Sequence, residues 1–268
     1  MLLDRTAAAT DEESFWLYQG DALKLLEEVP GKSVDMLFAD PPYFGNQSGL
    51  TINRTDNAPE AFSTKKVPWA KKRKLSQQFE FHHKWLSEAQ RVLKDGSTIW
   101  VSGTYHSIGV VNVVMQDLGF KILNDIVLVK RNAPPNFKGT NFRALTETIL
   151  WAKASGAGKR KFNYWRMKEV NGGKQMSNVW EYNATKNPFR HMAVKNSSVV
   201  EKAILASTEE GDLILDPFAG SGTTGYVASA TNRKSIMFEI EDASVKISSD
   251  RMSGIYGAYE PEIYEKKK

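Results

Sequence analysis

Short apolar runs of strand length alternate with segments of helical spacing along most of this 268-residue chain. A chain patterned this way builds βαβ units, because parallel strands need a crossover long enough to hold a helix. Phe15–Gln19 reads as a strand, and Asp21 caps a helix with Ala22, Leu25, Leu26 and Val29 at helical spacing. Val34–Ala39 is a short apolar strand ended by Asp40-Pro41-Pro42-Tyr43. Phe81, Trp85, Leu86, Ala89, Val92 and Leu93 predict a helix, with Gly96 after its end. Thr98–Ser102 reads as a strand, His106–Leu118 as a helix, and Ile122–Lys130 and Thr148–Lys153 as two further strands. Ser198-Val199-Val200-Glu201 has the form of a capping box opening another helix. Leu213–Asp216, Gly222–Thr231, Ser235–Ile240 and Asp242–Met252 then read as strand, helix, strand, helix. The pattern predicts an α/β fold with a doubly wound, mostly parallel sheet, which places ligands at the carboxyl ends of its strands.

Two stretches break the alternation. Residues 45–76 are polar, basic and turn-rich, and read as a long mobile loop. Lys65, Lys66, Lys71, Lys72, Arg73 and Lys74 fall there with no acid among them. Residues 154–190 read as a basic insertion of little periodicity, containing Lys159, Arg160, Lys161 and Arg166 among Phe162, Tyr164, Trp165, Trp180 and Tyr182. Cations interleaved with flat rings suit nucleic acid, since cations neutralise phosphates and rings stack on bases. A solvated loop with a few buried aromatics would look the same, but two such patches favour a polyanion partner.

Composition removes several classes. There are no cysteines, so disulfides, thiolate nucleophiles and Cys-type metal sites are excluded. His82 and His83 lie on one helix with no third ligand at metal spacing; they read as packing or surface residues, and no metal is expected. No uncharged apolar run approaches the ~18–20 residues of a membrane helix. Met1 to Ser14 carries Asp4, Asp11, Glu12 and Glu13 and reads as a tail rather than a secretory signal, so a cytoplasmic location with no membrane partner is expected.

Two strand ends carry chemistry. Leu213 to Gly225 reads as a strand, a tight turn and a helix start, with Gly220, Gly222 and Gly225 in a G-x-G-x-x-G pattern. Glu239, 17 residues after Gly222, ends the next strand, where a carboxylate can accept both hydroxyls of a ribose. A plain strand–turn–helix would share the pattern; with Glu239 in register a nucleoside-containing cofactor is favoured. Asp216 at the turn repels a pyrophosphate and attracts a cation, which suits S-adenosylmethionine better than a nicotinamide dinucleotide. In Asp40-Pro41-Pro42-Tyr43 the prolines stiffen the backbone and remove two N–H donors. The Asp40 carboxylate and the Pro41 carbonyl can then accept the two hydrogens of an aryl amine while Tyr43 stacks on its ring. Held so, the nitrogen lone pair can be turned toward an electrophilic methyl. A proline-stiffened turn is the plain alternative.

Together these motifs resemble the β subgroup of the DNA amino-methyltransferases, which move a methyl group from S-adenosylmethionine to an exocyclic base nitrogen. Asp216-Pro217-Phe218-Ala219-Gly220-Ser221-Gly222-Thr223-Thr224 is similar to the family's D-P-F-x-G-S-G-T-T, and Asp40 to Tyr43 to its D-P-P-Y. Gly20-Asp21-Ala22 resembles the segment that meets the cofactor adenine, and Arg233 to Glu239 the ribose-binding strand. His191 to Lys195 resembles the segment at the methionine end, with Met192 and Asn196 where the family has proline. Lys130-Arg131-Asn132-Ala133-Pro134 resembles the strand end that helps enclose the target base.

The resemblance spans roughly residues 15–252. It implies a Rossmann-like domain in circularly permuted motif order with one antiparallel strand and a target-recognition insertion. The expected layout is a tail at 1–14, a catalytic half at 15–153, the insertion at 154–190, a cofactor half at 191–256 and a tail at 257–268. Asp40, Pro41, Pro42 and Tyr43 would be catalytic. Asp21, Ala22, Asp40, Lys195, Asp216, Phe218, Ala219, Gly220, Ser221, Gly222, Thr223, Thr224 and Glu239 would hold S-adenosylmethionine. Lys65, Lys66, Lys71, Lys72, Arg73, Lys74, Lys130, Asn132, Lys159, Arg160, Lys161 and Arg166 would meet DNA. Within the family D-P-P-Y is commoner with N6-adenine, and serine in place of Asp40 with N4-cytosine. The layout resembles accessory methylases of restriction systems whose sites contain G-A-T-C. The target base would be flipped from a duplex or taken from a single strand, and a homodimer is left open. N4-cytosine methylation, a nicotinamide-dependent oxidoreductase and a non-catalytic DNA-binding module are the alternatives.

Overall fold

The computed structural model describes residues 6–9, 14–44, 50–55, 58–63, 73–133, 139–140, 142–183, 195–255 and 261. In chain order its elements are β1 (Thr6–Ala9), β2 (Phe15–Gln19), α1 (Ala22–Glu27), β3 (Val34–Ala39), β4 (Leu50–Thr55), β5 (Ala58–Ser63), α2 (Leu75–Val92), β6 (Leu93–Gly103), α3 (Ile108–Asp117), β7 (Lys121–Lys130), β8 (Thr146–Lys153), α4 (Tyr164–Val170), β9 (Val179–Tyr182), α5 (Ser197–Ser207), β10 (Leu213–Asp216), α6 (Thr223–Ala230), β11 (Lys234–Glu239) and α7 (Asp242–Met252).

Nine strands form one sheet in the order β1-β2-β11-β10-β3-β6-β8-β7-β9, and β4 pairs with β5 alone. The strands from β2 through β6 in that order all run parallel. β8 runs against both its neighbours, and β1 runs against β2 at the edge. From β3 the chain crosses through α2 to β6 on one side; from β10 it crosses through α6 to β11 on the other. The winding therefore reverses between β3 and β10. In an open α/β sheet that reversal opens a crevice at the carboxyl ends of the two strands.

Helices cover both faces. On one, Leu25, Trp85, Leu86 and Met115 of α1, α2 and α3 pack on Leu37, Ala39, Ile99 and Leu215. On the other, Met167, Ile204 and Val227 of α4, α5 and α6 pack on Met36, Phe38, Trp100 and Ile214. Successive residues of β3 thus enter opposite cores, which is why Met36 to Ala39 read as a continuous apolar run rather than an alternating one.

Several local expectations change. Thr6–Ala9, expected within a tail, add an edge strand to β2. The loop expected at 45–76 contains the β4–β5 hairpin, and α2 begins at Leu75 rather than near Phe81. The expected insertion is partly woven into the domain: Met167 of α4 and Trp180 of β9 are buried, and β9 pairs with β7. Helix α5 is capped by Asn196, whose side chain accepts from Ser198 N and Val199 N, so the cap lies two residues before Ser198. Gly96 lies inside β6 at φ +83°, where a side chain would strike the Lys159 carbonyl.

Candidate active site

β3 and β10 pair in register, Met36 with Ile214 and Leu37 with Leu215. Asp40 and Asp216 therefore leave the same sheet edge side by side, at the reversal point. Aromatic side chains of α2 clamp both turns. Phe44, just past the tetrapeptide, meets Phe81 edge-on at 5.0 Å, and Phe218 meets Trp85 edge-on at 5.4 Å. The Arg73 guanidinium lies 4.2 Å from the Phe44 ring centre. These contacts hold Phe44 at φ +44°, a left-handed conformation that is strained for a bulky residue. Behind them Trp85 Nε1 donates to His82 Nδ1 at 3.0 Å, and burial pushes the His82 imidazole down to about 4, so it is a neutral packing group.

In the glycine-rich turn the three glycines do different work. Gly220 and Gly222 sit at φ +53° and +73°, which turns the chain sharply into α6. Gly225 has an ordinary helical backbone, but a Cβ there would meet the Met237 thioether of β11, so its smallness leaves room for that side chain between α6 and the sheet. Asp216 is the buckle of the turn: it accepts from Phe218 N at 2.9 Å and Thr224 Oγ1 at 2.5 Å. Burial dominates its titration, pushing the carboxyl up to about 7 against those two hydrogen bonds. Glu239, at the end of β11, is gripped by backbone N–H groups of Gly220, Ile240 and Glu241 at 2.8–2.9 Å. Burial raises it too, and these donors oppose the rise.

A cavity of about 530 Å³ opens between the two turns. Asp40, Pro41, Pro42 and Tyr43 line it, and so does every expected cofactor residue except Gly222. Asp21 has a second task as the cap of α1, accepting from Leu23 N at 3.0 Å.

At the catalytic end lies an ionic network. Lys195 Nζ is 3.1 Å from Asp40 Oδ1 and donates to Ser102 Oγ at 2.8 Å, Tyr43 OH at 3.2 Å and Glu147 Oε2 at 3.4 Å. Lys130 Nζ pairs with Glu147 Oε1 at 3.1 Å. Tyr43 OH donates to Asp40 Oδ1. Burial alone would lower the Lys195 ammonium, but Asp40, Tyr43 and Glu147 outweigh it and hold its pKa well above the ordinary lysine value. Tyr43 is pushed up by burial and by Asp40, so it keeps its proton as a donor.

Residues 34–250 match the DNA methylase family. This chain belongs to that family. It is 41% identical to the Type II methyltransferase M2.LlaDCHI of Lactococcus lactis subsp. cremoris over 91% of each chain. To the Type II methyltransferase M2.MboI of Moraxella bovis it is 37% identical over 96% of this chain and 94% of that one. The PvuII DNA methyltransferase (cytosine-N4-specific) shares its fold, with a TM-score of 0.72 over 92% of this chain and 88% of that chain at 19% identity. The M1.HpyAVI–SAM complex does so with a TM-score of 0.64 over 89% of this chain and 98% of that chain at 21% identity. The chain is thus a DNA methyltransferase, an enzyme whose methyl donor is S-adenosylmethionine and whose substrate is DNA. The nicotinamide and non-catalytic alternatives fall.

The cavity of this methylase fits that donor. It joins apolar walls from Phe38, Phe218 and Ile240 to the carboxylates of Asp21, Asp40, Asp216 and Glu239. Apolar walls suit a purine, a fixed carboxylate such as Glu239 suits a ribose diol, and an excess of lining carboxyl groups over Lys195 and Arg73 suits a cation. Glu239 Oε2 takes one backbone donor and keeps capacity for a hydroxyl.

The residues expected to meet DNA scatter. Lys130 and Asn132 lie at the carboxyl end of β7, beside Glu147. Arg73 faces the cavity and packs on Phe44 and Phe81. Lys159 and Arg160 line a second hollow with Lys121 and Lys153. That hollow is at the opposite, amino edge of the sheet, because Lys121 begins β7 and Lys153 ends the reversed strand β8, the two paired in register. Lys161 is nearby, tied to Asp212 at 2.6 Å before β10, and Arg166 pairs with Glu169. Strands rise about 3.3 Å per residue, so roughly 20 Å of sheet separates these side chains from Asp40. Lys65, Lys66, Lys71, Lys72 and His191 lie outside the described residues. Among the described residues, no group of three or more acids and histidines could hold a metal ion, and no helix is long and apolar enough to cross a membrane.

Sequence reading missed Ser102 and Glu147, because one ends a strand in the apolar core and the other begins one. Neither sits in a motif, and only the antiparallel pairing of β6 with β8 brings them together. Ile240 and Glu241 were legible as the residues after Glu239.

Proposed function

We propose that this methylase transfers the methyl group of S-adenosylmethionine to the exocyclic N6 of adenine in DNA, as the modification enzyme of a restriction–modification system. The observation that carries this reading is the juxtaposition of the Asp40 and Asp216 turns across one cavity. Asp40 and the Pro41 carbonyl grip the two amine hydrogens, and Tyr43 offers its face to the purine. Glu239 binds the donor's ribose, Asp21 and Ala22 the adenine end, and Asp216 and the glycine turn the cationic end. When bound, S-adenosylmethionine supplies the electrophilic methyl. The amine would form its N–C bond as the sulfonium S–C bond breaks, the electron pair leaving with sulfur as a neutral thioether, and the nitrogen would then pass one proton to solvent. Binding in one pocket supplies orientation, and the carboxylate stabilises positive charge growing on the nitrogen.

Adenine is favoured over cytosine because position 40 is aspartate rather than serine. DNA approaches along the carboxyl edge, where Lys130 and Asn132 lie, with the segment 45–74 (which holds Lys65 to Lys74) close by in the chain. A cytoplasmic enzyme and a G-A-T-C-containing site complete the reading. The test is transfer of labelled methyl to matched single- and double-stranded oligonucleotides with and without G-A-T-C, followed by digestion to nucleosides. N6-methyladenine in the G-A-T-C-containing substrates is expected; N4-methylcytosine would overturn the choice of base.

A further inference from the structure

We propose that Glu147 is a positioning residue for methyl transfer, acting through Lys195 to keep the Asp40 carboxylate oriented toward the target amine and only partly neutralised by the lysine. The inference rests on the assignment of Asp40 as the amine acceptor.

Both described contacts to the Asp40 carboxylate fall on Oδ1, from Tyr43 OH and Lys195 Nζ. Among the described residues Oδ2 takes no hydrogen bond, so one oxygen is anchored and the other is left for an amine hydrogen. The anchor carries a difficulty. A lysine paired with Asp40 alone would cancel the negative charge the reaction needs, because the target nitrogen becomes positive as it is methylated. The structure answers this with a second carboxylate. Lys195 Nζ lies between Asp40 Oδ1 at 3.1 Å and Glu147 Oε2 at 3.4 Å. One ammonium serves two carboxylates, so Lys195 neutralises Asp40 only in part; with Lys130 on the far oxygen of Glu147 the four groups together balance.

Ser102 Oγ, at 2.8 Å from Nζ, fixes where the ammonium sits, and Lys130 fixes the far oxygen of Glu147 at 3.1 Å. The Lys195 side chain is 13% exposed and that of Glu147 28%. At such depth a unit charge is worth far more than at the surface. Burial raises Glu147, yet Lys195 and Lys130 outweigh it and hold it below the ordinary glutamate range, so it stays charged. An exposed lysine and a distant glutamate would not need this arrangement. Three strand ends, β3, β6 and β8, converge to make it.

The test compares Glu147→Gln, Glu147→Asp, Lys195→Met and the double variant Glu147→Gln/Lys195→Met by single-turnover transfer to DNA, with S-adenosylmethionine affinity from calorimetry. Gln keeps the shape and one acceptor oxygen, removes the charge, and turns the other oxygen into a donor that cannot serve one of the two lysines. The expected result is a transfer rate lowered about 10- to 100-fold in Glu147→Gln. Cofactor affinity should stay within about threefold, with substantial recovery in Glu147→Asp. In the Lys195→Met background the Gln substitution should cost nothing further, since the lysine that carries its effect is gone. A Glu147→Gln rate within twofold of the parent would overturn the proposal, as would equal losses in both backgrounds or a loss confined to cofactor affinity. The methylated base identified in the same digests reports separately on the N6-adenine reading: N4-methylcytosine would end that reading and leave the rate ratios to decide the role of Glu147.

Discussion

Asp216→Asn should reshape the pH dependence of stability, and the size follows from where the carboxyl sits. The residue is 4% exposed, and burial pushes its pKa from 3.8 to about 7. In the unfolded chain it releases its proton near pH 4; in the fold it holds the proton until about pH 7. Between those values the native state binds more protons than the unfolded state, so stability falls as pH rises. Ionising such a group inside the fold costs about 4 kcal/mol across that window. Below pH 4 both states are protonated and the cost vanishes; above pH 7 it is fully present. Asparagine is neutral throughout, keeps the carbonyl that accepts from Phe218 N, and can face Thr224 Oγ1 with its amide. Urea unfolding of parent and variant, with no cofactor, at intervals from pH 4 to 8 measures the difference directly. Carboxyls remote from Asp216 titrate alike in both proteins and cancel; Asp40 and Glu239, whose charges push Asp216 up, are the only neighbours whose titration the substitution changes among the causes of its shift. The stability of Asp216→Asn relative to the parent should climb by a few kcal/mol, toward about 4, from pH 4 to pH 8. A constant offset between the two curves would refute the reasoning.

Glu239→Gln, which removes the charge and turns one of the two oxygens that accept from backbone N–H groups into a donor, should weaken S-adenosylmethionine binding roughly 10- to 100-fold by calorimetry; unchanged affinity would remove Glu239 from the ribose. Gly225→Ala should destabilise the apo protein by about 1–3 kcal/mol in urea, because the methyl meets Met237. Equal stability would mean that the Met237 thioether moves aside at a cost no greater than the helix propensity alanine gains. Charge reversal at Lys159 and Arg160 should leave kcat/KM on a short duplex within about twofold, since these residues face away from the cleft. A large loss there would place DNA along the amino edge of the sheet.

The sheet and the cleft were legible because they depend on local chemistry. Buried parallel strands must be apolar, as Val34–Ala39 and Leu213–Leu215 are, and a turn at φ > 0 demands glycine at 220 and 222. Strand-end position then put Asp40, Asp216 and Glu239 on one edge. What could not be read depends on pairing between distant segments. Thr6–Ala9 is nearly all alanine and becomes a strand only because β2 offers a free edge. The partnership of Lys195 with Glu147 spans 48 residues and needs β8 to reverse beside β6. The basic segment looked like one surface in sequence. Lys159 and Tyr182 within it lie at opposite edges of the sheet, because the chain descends along β8 and climbs again through β9.

The most direct measurement separates turnover from cofactor binding in Asp40→Ala. If the Asp40 turn holds the amine while the Asp216 turn holds the donor, the variant should lose methyl transfer by at least about 10³-fold. It should still bind S-adenosylmethionine within a few-fold of the parent affinity. A variant that methylates DNA at the parental rate would contradict the account, as would one that loses cofactor binding along with turnover.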